Sequence, residues 1–369
     1  MGAQFFGEAD FESAHFAAKT DFRGVQFSTK ANFWEVQFDA EADFEKALFA
    51  TGIDFWRTYF TNKAHFHLLG NNLTFDLSSI QLSANSEIEI KNLRTCRLVL
   101  NNINNISEHF FFYDTEIIPL EEYKDYAQEE NIKIDEKTLK EVENSPNLEI
   151  VNSHLNQMKF INCDFSKANH IKIESSDLTE VKFLATDWGD ISEKRICPEM
   201  FKNQTKKARD VYRQLKLTLD NYKDYFSANG FYALEMKANL RLLFKNFKEN
   251  IKKPINYFQN LLIYGSGWLF SNFSQSIFRP LFWIIFFTIL MTNHLFNWNI
   301  NVELLIHGDF SQLDIKEYLN DFARTLNIFK LFKNEEIIKN NEFWYLIYSI
   351  VIATLIYQFI IAVRRRVKR

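Results

Sequence analysis

Cysteine is scarce in this chain, three among 369 residues. Cys96, Cys163 and Cys197 show neither metal-ligand spacing nor the even count of a disulfide framework, which fits a reducing compartment. Glycine is also sparse, and no run of it forms a phosphate-cradling loop. A Ser-His-Asp order, paired cysteines and a His-Glu-x-x-His motif are missing too. With these absent, the expectation is a protein that is not an enzyme, with no catalytic residue, cofactor or metal site. His65 and His67 come nearest to a metal pair, sharing one outward strand face, but no third ligand accompanies them. Cys163 reads as a small core residue rather than a reactive thiol. Met1-Gly2-Ala3-Gln4 carries no secretory signal, and Phe6 stands where a myristoylation start needs Ser or Thr. The formal net charge of −4 argues neither for nor against a polyanionic partner.

Phenylalanine is the abundant residue, 39 in all. From Phe5 to Phe66 it recurs at spacings alternating between six and five: Phe5, Phe11, Phe16, Phe22, Phe27, Phe33, Phe38, Phe44, Phe49, Phe55, Phe60 and Phe66. Two positions before each from Phe11 on stands a small or β-branched residue, such as Ala9, Ala14, Thr20, Val25 and Ala31. One six and one five together make the repeating unit, so Phe11 is followed in phase by Phe22 and Phe33. Such an eleven-residue period suits a right-handed helical supercoil, but at roughly 100° per residue positions 9, 11, 14 and 16 make no single stripe. In extended backbone Ala9 and Phe11 instead share one face while Asp10 points away. Each triplet becomes a short strand, and the residues between triplets turn a corner. Such a triplet buries its Phe only beneath a stacked neighbour, about 4.8 Å away, which makes a solenoid.

The triplets Ala9-Asp10-Phe11, Ala31-Asn32-Phe33 and Ala42-Asp43-Phe44 resemble those of pentapeptide-repeat proteins. The resemblance implies a right-handed parallel β-helix with four faces. Because every second step here has an added residue, four faces take two whole units, as from Phe11 to Phe33, rather than four strict steps of five. Phenylalanines two units apart, such as Phe11, Phe33 and Phe55, should then stack in ladders, with Trp34 outside. The chain starts already in register at Phe5, so the expectation is either that this end pairs with another chain or, the favoured reading, that the natural protein starts further upstream.

The β-helix is expected over residues 1–113, less regularly after residue 70, where Leu73, Phe75, Leu77, Ile88, Ile90, Cys96, Leu98 and Leu100 alternate. Residues 114–146, with eleven acidic residues against four lysines, read as an exposed insertion. Five-residue spacing returns over 147–190 at Leu155, Phe160, Phe165 and His170, then at Leu178, Phe183 and Trp188. The repeat core is therefore expected at Phe11 through Phe66 in the series above and at Phe160, Phe165, Leu178 and Phe183. Over 203–250 the period turns helical, with Asn229-Gly230 as a break, so a helical hairpin is expected.

Residues 278–369 form the expected membrane module. Its spans are 343–363, which hold no charged residue, and 281–298, which hold no acid and no Lys or Arg. Arg279 precedes the first span, and Arg364, Arg365 and Arg366 follow the second. Residues 299–342 carry eight acidic and five basic residues. The positive-inside rule places both termini in the cytoplasm and this loop outside. Tyr212-Arg213-Gln214-Leu215-Lys216, Phe231-Tyr232-Ala233-Leu234-Glu235-Met236, Arg279-Pro280-Leu281-Phe282-Trp283 and the run from Phe359 to Arg366 resemble bacterial pentapeptide-repeat proteins with a C-terminal two-span, ion-channel-like module. That resemblance implies a multi-pass protein of the bacterial cytoplasmic membrane. The loop has one glycine, Gly308, and nothing like a Thr-Val-Gly-Tyr-Gly filter.

The expected function is therefore a membrane-anchored interaction platform, its partners the lipid bilayer and a protein or a second copy meeting the solenoid. A channel-like oligomer is the alternative. A DNA-mimicking solenoid ranks last, since residues 1–70 hold ten acids against six bases, far below one negative charge per about 1.7 Å of duplex.

Overall fold

The structure is a computed structural model describing residues 3–247, 252, 254–296, 315–327 and 341–367. The chain divides into two units, Met1–Asn246 and Phe247–Lys368.

The first unit is a parallel β-solenoid whose short strands line up into four sheets, the longest of eight strands. The register in the first turns is two sequence repeats: Phe5 pairs with Phe27, Ala9 with Ala31, Phe16 with Phe38 and Ala42 with Ala64. Four phenylalanine ladders follow from it. Phe11, Phe33 and Phe55 stack at 4.8 and 5.2 Å between ring centroids, and Phe16, Phe38 and Phe60 at 5.1 and 5.2 Å. Phe22, Phe44 and Phe66 stack at 4.9 and 4.7 Å, and Phe5, Phe27 and Phe49 at 5.1 and 5.0 Å.

Two of these ladders interlock across the axis. Phe33 meets Phe22 and Phe44 edge-to-face at 5.5 and 5.6 Å, and Phe44 meets Phe55 at 5.8 Å. Opposite faces are half a coil apart in sequence, so each ring falls between two of the opposing ladder. Edge-to-face contact sets the positive rim of one ring on the negative face of the next, worth about 0.5–1.5 kcal/mol per pair beyond buried area. Small residues such as Ala31, Ala42, Ala47 and Ala64, fully buried, leave room at the corners for rings this large.

The five-residue steps are hydrogen-bonded turns. The N–H groups of Ala14, Val25, Val36, Ala47 and Thr58 donate to the carbonyls of Phe11, Phe22, Phe33, Phe44 and Phe55. One residue in each turn is left-handed: Ser13, Gly24, Glu35, Lys46 and Arg57 have φ between 55 and 64°. A side chain in that conformation costs on the order of 1 kcal/mol, so something must hold these turns. The Asp or Asn before each Phe does so. Asp10, Asp21, Asn32, Asp43 and Asp54 accept through Oδ1 from the N–H two residues on, at 2.9–3.1 Å. Elsewhere, Gly52 has φ +129°, and a Cβ there would lie 2.5 Å from the Thr74 carbonyl oxygen of the next coil.

Later coils are less uniform in length, since Ala64 pairs with Ile88 and Ile88 with Phe110. Phe112, Phe160 and Phe183 continue as a stack at 4.8 and 5.2 Å. Two expectations change here. Residues 114–118 are coil rather than insertion: Glu116–Ile117 pairs with Arg94 and Thr95, and Ile117 is in the solenoid core. His170 is half-buried and points away from the core, while Ile171 and Ile173 fill the inward positions. The five-residue rhythm slips at this corner because Ile171–Glu174 is a four-residue strand.

The excursion holds helices α1 (Leu120–Glu129) and α2 (Glu136–Glu143). Although rich in acids, it is docked. Tyr123, Ala127 and Val142 form a second core with Leu73, Cys96 and Ile118 of the solenoid wall, and the buried Tyr123 hydroxyl donates to the Ala50 carbonyl. At the C-terminal end of the solenoid, α3 (Pro198–Asn203), α4 (Thr205–Asn221) and α5 (Tyr225–Lys245) close the last coil. Ala208, Tyr212, Leu215, Leu219, Phe231 and Leu234 belong to the solenoid's own core. Phe231 packs edge-on to Trp188 at 5.2 Å, and Thr218 Oγ1 donates to the Leu178 carbonyl at 3.0 Å.

In the second unit, α6 spans Pro254–Ser271, α7 Phe278–Phe296, α8 Ile315–Leu326 and α9 Glu342–Val367. Phe278–Phe296 and Glu342–Arg364 are long and apolar enough to cross a membrane, against expected limits of 281–298 and 343–363. Residues 297 and 298, including Trp298, lie outside the described residues.

Phe33 and Phe38 have ring neighbours on both sides of their ladders, so Phe33→Ala or Phe38→Ala should lower unfolding free energy by about 3–5 kcal/mol. Trp34, 37 % exposed, should tolerate Ala with far less loss. Urea unfolding followed by far-ultraviolet circular dichroism checks the contrast, and equal losses at Phe33 and Trp34 would contradict the core assignment.

Candidate functional site

The expected repeat-core residues line the solenoid axis. Phe22, Phe27, Phe33, Phe38, Phe44, Phe49, Phe55, Phe60, Phe66, Phe160, Phe165, Leu178 and Phe183 are buried, while Phe11 and Phe16, in the first described coil, are partly buried against the same cluster. With its axis filled by rings, the solenoid meets any partner through its outer surface.

That surface is laddered in charge as the core is in rings. Each outward column repeats every coil, and opposite charges meet from one coil to the next. Lys19 pairs with Glu41 at 2.9 Å, Lys63 with Glu87 at 2.6 Å, Arg57 with Glu35 at 3.1 Å and Lys30 with Asp54 at 3.2 Å. Arg23 lies 2.7 Å from Asp21 and 3.7 Å from Asp43. Exposed pairs of this kind contribute about 0–1 kcal/mol each, but they neutralise the acids locally. Asp10, Asp21, Asp43 and Asp54, which stand outward beside the phenylalanines, are bound into the coil's own turns.

Cationic groups also sit over surface aromatic rings, Trp34 exposed and Trp56, Phe111 and Tyr113 half-buried. Trp34 and Trp56, one coil apart, have ring centroids at 5.6 Å, with Arg57 4.2 Å over Trp56 and Lys30 5.3 Å from Trp34. On another face Phe111 stacks on Tyr113 at 5.5 Å, with Lys159 4.2 Å over Phe111 and Lys91 5.5 Å over Tyr113. Flat rings with a cationic rim are the residue types that carry protein contacts. His65 lies 3.5 Å from Glu89 and His67 Nε2 2.7 Å from the Asn92 amide. Among the described residues no group of three or more His, Cys, Asp or Glu is placed to hold a metal ion.

Between the solenoid wall and the docked excursion lies a cavity of about 520 Å³, lined by Lys30, Asp54, Asp76 and Arg97 from successive coils and by Lys133 and Asp135 from the excursion. Burial pushes the Asp76 carboxyl above its ordinary range. Arg97 pairs with Glu149 at 2.9 Å, and Glu149 in turn with Lys172 at 3.1 Å. The lining mixes both signs of charge.

The three thiols are buried, and burial pushes Cys96 and Cys197 up to about 12 and Cys163 to about 11, which leaves them protonated and unreactive at neutral pH. Arg195 is a structural residue that sequence reasoning missed. Its buried guanidinium donates to the carbonyls of Phe165, Ala168, Trp188 and Asp190, bridging the last two coils. A lone arginine after the repeat gives no sequence signal of that role.

In the second unit, Arg279 is exposed at the start of α7 and its guanidinium donates to the Trp268 carbonyl at 3.3 Å. Arg364 is exposed on α9, while the side chains of Arg365 and Arg366 lie outside the described residues. A polar seam runs between α7 and α9, where Thr288 Oγ1 and the Tyr348 hydroxyl lie 3.1 Å apart. Ser271 donates to Gln358 at 2.7 Å.

With four sheets, a coil of two repeats and Asp-Phe corners, the first unit is a β-solenoid of repeats. The pentapeptide-repeat family model, in nine copies, matches residues 2–48; this chain carries pentapeptide repeats in a β-solenoid, together with two candidate spanning helices. No curated protein and no solved structure matches the chain.

The docked excursion covers Cys96, so replacing residues 119–146 by a short Gly-Ser linker should lower stability and make Cys96 react with a maleimide in the native protein. Continued protection would show that the wall is closed without it. Asp21 is held at about 2, below its ordinary 3.8, chiefly by the hydrogen bond from the Arg23 side chain. A depressed carboxyl stabilises the fold above its unfolded value, and the contribution fades as pH falls from about 4 through about 2. Asp21→Asn should flatten the pH dependence of the urea midpoint in that window, and an unchanged slope would remove Asp21 from the acid response.

Proposed function

We propose that this protein is a membrane-anchored interaction platform: α7 and α9 cross a lipid bilayer, and the solenoid presents its outer faces to a protein partner or to a second copy of the chain. One observation carries the reading. A single chain joins a solenoid whose interior is packed with phenylalanine to two apolar helical stretches, Phe278–Phe296 and Glu342–Arg364, of 19 and 23 residues with mean hydropathy 1.3 and 2.3. A filled interior leaves recognition to the surface, where Trp34, Trp56, Phe111 and Tyr113 stand beside cations. Solenoids of pentapeptide repeats are generally structural or interaction proteins, and a non-enzymatic role belongs to this reading.

Lys237, Arg241, Lys245, Lys248, Lys252 and Lys253 before α7 and the arginines at the end of α9 favour a cytoplasmic solenoid and cytoplasmic termini, with residues 299–342 on the far side. In a bacterium this is the inner membrane. Because neighbouring cations neutralise the acids, no continuous polyanion results, which disfavours a DNA mimic, while the net acidic balance of residues 1–70 favours protein over nucleic acid as partner. Residues 299–314 and 328–340, where a channel loop would fall, lie outside the described residues. Channel activity is therefore the alternative to be tested.

Topology is tested by single-cysteine labelling with an impermeant reagent in intact cells. A probe at Asn320 should react from outside and a probe at Lys46 only after lysis. Protection of both would show that α7 does not cross. In planar bilayers the platform reading expects no reproducible unitary current, whereas currents lost on deleting residues 278–369 would replace it with the channel.

A further inference from the structure

Helix α8, between the two candidate spans, has its polarity turned away from its neighbours. Its buried residues are Asp321 and Thr325, whereas Ile315, Leu319 and Leu326 are 54, 57 and 41 % exposed. At roughly 100° per residue, Ile315, Leu319, Phe322 and Leu326 fall within about 60° of one another. Asp321 and Thr325 lie about 110° to one side of that stripe, and Glu317 and Arg324 lie opposite it. A helix packed in water would bury the stripe. This one buries its polar flank and presents the stripe outward.

The level of the helix explains this. The Tyr348 hydroxyl donates to the Thr325 carbonyl at 3.3 Å and lies 3.1 Å from Thr288 Oγ1. His294 Nε2 is 3.1 Å from Asn341 Oδ1, so the end of α7 and the start of α9 lie side by side. At 1.5 Å per residue, Tyr348 is about 9 Å inside the start of α9 and Thr288 about 12 Å inside the end of α7. The last turn of α8 therefore stands about 10 Å within the level of those ends.

We infer that α8 is seated in one leaflet of the bilayer, its Ile315-Leu319-Phe322-Leu326 stripe against lipid acyl chains and its polar flank against the seam between α7 and α9. The inference rests on the reading that those two helices cross a membrane. At 12 residues α8 is about 18 Å long, too short for about 30 Å of hydrocarbon but suited to a half-depth segment. Lipid is the occupant because Leu290, Ile347 and Ile350 of the spans are exposed as well, continuing the apolar surface around the pair. Arg324 is compatible with this level: it lies 3.2 Å from Asp321, on the flank away from the stripe, with a stem long enough to bring its charge to the interface.

The test uses the full chain in phosphatidylcholine–phosphatidylglycerol vesicles, with a nitroxide on single cysteines at Leu319, Leu326, Asn320 and Ile350. The native thiols are buried. Relaxation by oxygen, which concentrates in lipid, is compared with relaxation by a water-soluble nickel chelate. Leu319→Cys and Leu326→Cys should give oxygen-to-nickel ratios like Ile350→Cys and several-fold above Asn320→Cys. Ratios at Leu319 and Leu326 as low as at Asn320 would put the stripe in water and overturn the inference. Shielding of both from oxygen and nickel alike would mean that protein covers the stripe, which overturns it equally. A nickel-accessible Ile350 would bring down the spanning reading itself, and with it the placement of α8.

Discussion

The constraint on which the solenoid depends is the half-coil offset between opposing phenylalanine ladders. A ring can lie edge-to-face between two opposing rings only if facing positions differ by half a turn. A coil built from two equal halves, as from Phe11 to Phe22 and on to Phe33, provides that offset. Each half must hold two faces in an odd number of positions, so the repeat alternates five and six. One corner of each half is then a hydrogen-bonded five-residue step and the other a looser six-residue step, and the aspartate or asparagine before the phenylalanine secures the tight one.

The same constraint explains where charge goes. A parallel solenoid places identical positions one above the next, so a side chain repeated in every coil would meet its own charge. Asp21 and Asp43 are stacked in this way, and Arg23 lies between them. Where aspartate recurs it is occupied by a turn, and where lysine recurs it alternates with glutamate. Surface electrostatics are thus largely satisfied inside the fold, and beside these pairs stands aromatic surface bordered by cations.

Both additions to the regular coil serve its closure. The helices from Pro198 to Lys245 close the end of the phenylalanine core, with Arg195 tying together carbonyls of its last two coils. The excursion covers Leu73, Cys96 and Ile118, apolar groups on the outside of the wall. Its high acid content lies on the solvent side, which is why composition by itself suggested an exposed segment. Tyr123, Ala127 and Val142, with Leu120, Tyr126, Ile132, Ile134 and Leu139 packed around them, dock it, and Glu122 pairs with Arg94 and Lys167 of the solenoid.

The sequence by itself determined the coil. Phenylalanine spacing, the small residue two positions earlier and the failure of a helical stripe leave one extended, stacked solution, because strand alternation and the spacing of about 4.8 Å between strands are properties of the backbone. It also marked out the two apolar helices, since length and lack of charge are local quantities. Tertiary structure decided what depends on which surfaces meet: the docking of the excursion, the inclusion of residues 114–118 in the wall and the outward turn of His170. It decided too the bridging of carbonyls by Arg195 and the inverted burial of α8. In each case a residue's environment is set by a segment distant in sequence, and neither periodicity nor composition carries that information.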